Sequence, residues 1–144
     1  MARVSTYLNF PRTTEAAFAF YKSVFGTEYG MPVMRFKDAP PNPQCPLDPA
    51  DAELVIHVEL PILGGHVLMG TDAPESMGFA LVAGNNCHIN LEPDTRAEAD
   101  RLFTALSDGG EVQMPIQDMF WGAYFGSFRD RFGTQWMVNC AAQA

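Results

Sequence analysis

An α+β chain made of two βαβββ modules is what this 144-residue sequence predicts, on three observations. A strand-like run followed by a helix-like run opens the chain and recurs after residue 86. Three further strand-like runs follow each helix. The two starts lie 81 to 83 residues apart when Asn9 is matched to Asn90 and Glu15 to Glu98. Residue identity between the halves is thin, so the case rests on the order of elements, with the halves at about 1–78 and 79–144.

In the first half "STYLNFP" alternates, with Leu8 and Phe10 on one face and Ser5, Tyr7 and Asn9 on the other. "RTTEAAFAFYKSVFG" then reads as a helix. Ala17, Phe20, Tyr21, Val24 and Phe25 recur at helical spacing, Glu15 suits the first turn, and Gly26 suits the stop. Strands are expected at "MPVMRF", "ELVIHVEL" and "HVLMGT".

The second half starts with "CHINLE", which puts His88, Asn90 and Glu92 on one face and Cys87, Ile89 and Leu91 on the other. Thr95 and Glu98 have the spacing of a capping box, Leu102, Phe103 and Leu106 form the apolar stripe, and Gly109 and Gly110 end the helix. Strands near "EVQMPI", "AYFGSFRD" and "TQWMVNC" close the chain. Asp130 to Gly133 reads as a hairpin turn, because Asp starts turns through its side-chain acceptor and Gly relieves a positive φ. Trp136 shares its period with Val138 and Cys140, towards the helix.

Two stretches fall outside the repeat, residues 37–53 and 72–78. The first carries Pro40, Pro41, Pro43, Pro46 and Pro49, which rule out a helix or central strand and leave a surface loop. A lid over a ligand site and a disordered spacer are equal readings of it.

Composition excludes several classes. About 68–70% of the unfolded surface is buried in a folded chain of roughly this length, enough for one core without disulfide or metal. The formal charge of −8 repels phosphate backbones, so no nucleic-acid partner is expected. No run is long enough to cross a membrane, and the N-terminus has no apolar signal core, which places the chain in the cytoplasm. Cys45, Cys87 and Cys140 lack the spacing of a disulfide framework or a structural zinc site. No G-x-S-x-G, phosphate loop or dinucleotide fingerprint occurs, which leaves hydrolase, kinase and Rossmann readings unsupported.

The residues "YLNF" (Tyr7 to Phe10), "AFAFYKSVFG" (Ala17 to Gly26) and above all "MFWGAYFGSFRDRFGTQWMVN" (Met119 to Asn139) carry a resemblance. Together they resemble the vicinal oxygen chelate superfamily of glyoxalase I, ring-cleaving dioxygenases and bleomycin-resistance proteins, and most of all its PhnB-like branch. The resemblance implies a cupped mixed sheet with the helices outside, a ligand site inside the cup, and a homodimer.

In metal-dependent members the first, fourth, fifth and eighth strands each supply a His, Gln or Glu. Laid on that pattern this chain offers Ser5, Met69, His88 and Met137, of which only His88 is a good ligand. Thioethers suit Cu(I) far better than Mg, Mn, Ni, Zn or Fe(II), so no tightly bound metal and no cofactor are expected. The resemblance leaves a polar inner set of Tyr7, Asn9, Asn90, Gln135 and Asn139 with Met69 and Met137 between them, and His88 as the acid/base candidate. Trp121, in a turn-like stretch, reads either as the cup mouth or as a Trp that contributes area to core or interface. His57 and His66 read as structural or surface groups. A binding module for a small polar or drug-like molecule, an enzyme using His88 or a misread metal site, and an interaction dimer are the three readings.

Overall fold

The structure, a computed structural model, describes residues 1–141. Each half contributes one helix and four strands. The first holds β1 (Thr6–Phe10), α1 (Thr14–Phe25), β2 (Met34–Arg35), β3 (Val55–Pro61) and β4 (Val67–Asp72). The second holds β5 (Ile89–Leu91), α2 (Arg96–Ser107), β6 (Glu111–Asp118), β7 (Tyr124–Arg129) and β8 (Gln135–Cys140). The sheets have the same order, β1-β4-β3-β2 and β5-β8-β7-β6. In each, the first and last strands pair parallel and the rest antiparallel, giving two mixed sheets. Contacts divide the chain into a unit Met1–Leu81 and a second that begins at Val82.

In the first unit α1 lies on β3 and β4 and buries Ala17, Phe18, Tyr21 and Val24 against a sheet face formed by Val58, Leu60 and Leu68. Phe18, absent from the expected stripe, is fully buried, whereas Phe20 is half-buried. The reason is Gly70 on β4, where an added Cβ would stand 2.5 Å from the Phe18 ring. A bare backbone there draws the helix down on its Phe18 side. Gly26 ends α1 in the left-handed conformation, as its position suggests.

Thr13 gives α1 no side-chain cap. Asp72, expected to lie in a connecting stretch, is instead the buried last residue of β4 and does that work. Its carboxylate accepts from Thr14 N–H at 3.1 Å and from Val55 N–H at 2.8 Å, tying helix start to strand start.

In the second unit α2 covers β6, β7 and β8, burying Ala99, Leu102, Phe103 and Leu106 over Phe128, Trp136 and Val138. Phe103 meets Phe128 edge-on at 5.0 Å. Thr95 caps α2 by accepting from Glu98 N–H at 3.1 Å. The reciprocal half of the expected capping box is not formed, because the Glu98 carboxylate turns to Arg101. Gly133 closes the β7–β8 turn on the Asp130 carbonyl with φ +96°, as the D-x-F-G spacing predicts.

Two strands are shorter than the sequence suggests. "MPVMRF" supplies only Met34 and Arg35, since residues 36–38 wind into a 3-10 turn whose Asp38 carboxylate accepts from Arg35 N–H. "CHINLE" supplies only Ile89 to Leu91. The proline-rich stretch has a defined path, with a second 3-10 turn at Pro49–Asp51. Its base is closed by Phe36 N–H on the Leu54 carbonyl and Lys37 N–H on the Ala52 carbonyl.

Candidate functional site

In each unit the helix takes one sheet face and the polar residues hold the other. On β8 strict alternation puts Trp136, Val138 and Cys140 into the core, each 1% exposed or less, and turns Gln135, Met137 and Asn139 the opposite way. Met137 pairs with Asn90 on β5 and with Ser127 on β7, and Asn139 pairs with Phe125. His88, half-buried, precedes β5 on the same side as Asn90.

A row of side chains crosses this face. The His88 imidazole Nε2 meets the Gln113 amide Oε1 at 3.4 Å, and Gln113 Nε2 donates to Gln135 Oε1 at 2.7 Å. Gln135 is only 4% exposed, yet its own Nε2 has no partner, and the buried Oδ1 of Asn139 has none either. An unpaired buried polar atom costs about 1–3 kcal/mol, so this face holds one unmet donor and one unmet acceptor. With Nε2–H on His88 the row runs from His88 towards Gln135 and leaves the Gln135 N–H free. The other tautomer permits the reverse direction and would leave its carbonyl free.

Trp121 lies in the β6–β7 turn, closed by Met119 N–H on the Ala123 carbonyl, with Gly122 at φ +93°. It is 56% exposed, stacks edge-on with Phe120 at 5.0 Å, and stands 6.1 Å from the Phe125 ring, the cross-strand partner of Asn139. It thus lies near the Asn139 end of β8.

On the first unit Tyr7, Asn9 and Met69 share the face away from α1, Tyr7 and Asn9 being exposed. Ser5 Oγ donates to the Met69 thioether at 3.8 Å. His57, expected as a structural or surface group, lies beside Tyr7 and meets its hydroxyl at 3.1 Å. Glu59 follows, 3.3 Å from His57 Nε2. Burial first, and the Glu59 charge second, hold the Tyr7 hydroxyl above its ordinary pKa. His66, by contrast, bonds Thr6 at 2.9 Å.

Sequence reasoning missed Gln113 and Glu59, and read His57 as a structural or surface group. Gln113 sits where the β6–β7 register shifts between Val112 and Met114, so plain alternation misassigns it. His57 and Glu59 were legible, since in "VIHVEL" they share one phase while Val58 and Leu60 share the other.

The donor set does not fit the divalent ion used by metal-dependent relatives. Ser5 and Met69 satisfy each other, Met137 offers a thioether, and His88 alone is a good ligand. Among the described residues no group of three or more His, Cys, Asp or Glu could hold a metal ion. An open cleft of about 490 Å³ lies elsewhere in the second unit, between residues 109–111 and 129–133. None of the predicted site residues lines it, and its Arg129 and Arg131 already pair with Glu111 and Asp108.

Residues 5–138 match the family model of the glyoxalase/bleomycin resistance protein/dioxygenase superfamily. Protein YjdN of Escherichia coli K12 is 29% identical over 150 residues, covering 97% of this chain and 96% of its own. The crystal structure of protein PA1353 from Pseudomonas aeruginosa superposes with a TM-score of 0.83 at 36% identity, over 99% of this chain and 100% of that one. A PhnB protein from Bacillus cereus, titled a putative 3-demethylubiquinone-9 3-methyltransferase, has the same fold, with a TM-score of 0.77 at 23% identity over 97% and 100% of the two chains. With two βαβββ units and a family match that spans nearly its whole length, the chain belongs to the glyoxalase/bleomycin resistance protein/dioxygenase superfamily.

Proposed function

We propose that this chain is a PhnB-like small-molecule-binding protein that holds a polar ligand on the second unit's open sheet face without a resident metal. The observation that carries the reading is the buried Gln135 amide, which has no partner for its Nε2 at the end of the His88–Gln113 row. A ligand acceptor there and a ligand donor at Asn139 Oδ1 would satisfy both orphaned atoms, with Met137 giving adaptable apolar contact between them. Asn90 and Trp121 border the same ligand, and Tyr7, Asn9 and Met69 supply the corresponding polar face on the first unit.

Calorimetric titration and thermal-shift screening against polar metabolites and antibiotics test it. A ligand that raises the unfolding temperature, and that loses about tenfold in affinity on Gln135→Leu or Asn139→Leu, fits a lost hydrogen bond to a buried polar group. Failure of every compound to bind would overturn the reading.

An enzyme reading has one observation in its favour. Gln113 orients the His88 ring through Nε2 and leaves Nδ1 for proton exchange. Loss of turnover on His88→Ala with the fold intact would establish the enzyme, whereas a change in affinity alone supports the binding protein.

A further inference from the structure

The first unit carries a second polar arrangement that the row on the other unit does not involve. Tyr7 pairs with Met69 across β1–β4, and Met69 pairs with Glu59 across β4–β3, so the three form one cross-strand row. His57 lies two residues before Glu59 on the same face and pairs with Met34 on β2. The Tyr7 ring leans towards it, with centroids 5.8 Å apart and planes tilted by 38°.

Hydrogen bonding fixes the direction of this group. A carboxylate only accepts, so the 3.3 Å contact with Glu59 requires the proton on His57 Nε2. In the neutral ring Nδ1 is then bare and accepts the Tyr7 O–H at 3.1 Å. The Tyr7 oxygen keeps a lone pair for a further donor, on a side chain that is 47% exposed. Carboxylate, imidazole and hydroxyl stand in the order by which a triad activates its hydroxyl.

We propose that Glu59, His57 and Tyr7 form a proton-accepting site for a neutral, acidic phenol. The ligand O–H bond breaks and its proton passes to the Tyr7 oxygen, while the Tyr7 proton passes to His57 Nδ1. The ligand oxygen is left as the anion, and the imidazolium is held between Tyr7 and the Glu59 carboxylate. Charge is conserved and no co-reactant is needed. Tyr7 is the group that touches the ligand, and His57 and Glu59 act through it as positioning residues.

The surroundings select the ligand. Glu59 and the chain's net charge of −8 oppose a preformed anion, while the Met69 and Met34 thioethers bordering the group suit an aromatic ring. The raised pKa of the Tyr7 hydroxyl agrees with a phenol that keeps its own proton until it is replaced. Arg3, 3.8 Å from Glu59 and more than half exposed, is a further charge there. Met69 on β4 and Met34 on β2 add none.

Absorbance titration of 4-nitrophenol with the intact protein, below the pH at which the free phenol ionises, tests the proposal. The wild type is expected to raise the long-wavelength phenolate band to saturation. His57→Gln should abolish that band without changing the circular dichroism spectrum, and Glu59→Gln, nearly unchanged in size, should weaken it several-fold. No band with the wild type, or an undiminished band in either variant, would overturn the proposal.

Discussion

Among the described residues the buried Asp130 carboxylate accepts from Phe132 N–H at 2.8 Å, Thr134 N–H at 3.0 Å and the Trp136 indole N–H at 2.8 Å. It joins the β7–β8 turn to the core in one residue. Asp130→Ala would strand the indole N–H and a buried backbone N–H, at about 2–4 kcal/mol in urea denaturation. A second residue-scale test is Gly126→Ala, whose Cβ would meet the Phe103 ring at 2.7 Å and the Ile116 backbone at 2.8 Å. Overpacking of that kind costs about 1–3 kcal/mol. These residues also mark how far sequence reading reaches. The turn chemistry of Asp130 and Gly133 and the inward phase of Trp136 were legible because they depend on neighbours in the chain. The need for Gly70 under Phe18 was not, because the two meet only when α1 lies on the sheet.

At the scale of elements, the proline-rich segment is held by a clip rather than by secondary structure. Arg12 donates to Asp51 at 2.8 Å and to Glu75 at 2.9 Å, and Ser76 donates to Asp51. The Ser76 bond first, and Arg12 second, hold the Asp51 carboxyl below its ordinary pKa. Arg12 is the leading cause of the lowered Glu75 value. Both carboxyls are depressed in the folded state, so the clip's contribution is present above their ordinary values of 3.8 and 4.5 and is lost as pH falls through the lower folded values. Amide protection factors over residues 37–53 should therefore stay high at neutral pH and fall below about pH 3.8. Arg12→Ala should lower them already at neutral pH. Five prolines identified this stretch as a loop, but its anchoring needs Arg12, Asp51 and Ser76 brought together from 39 and 25 residues apart.

At the scale of the whole molecule we propose the homodimer that the family resemblance implies, and the exposed apolar residues Phe120, Trp121, Val112 and Met114 support that proposal. Light scattering should give twice the 15.9 kDa chain mass, and Phe120→Ser with Trp121→Ser should shift it towards the monomer. Mass spectrometry of protein purified without chelator should find metal near zero per chain, before and after incubation with nickel, zinc, manganese or iron. About one ion per chain would overturn the metal-free reading. No helix among the described residues is long and apolar enough to cross a membrane. By itself the sequence determined the doubled βαβββ order and the face taken by each residue of β1 and β8, because periodicity, capping residues and turn glycines act locally. Tertiary structure alone decided that Gln113 links His88 to Gln135 and that Tyr7 reaches His57, because a strand pattern records the face of a residue but not its partner across the sheet.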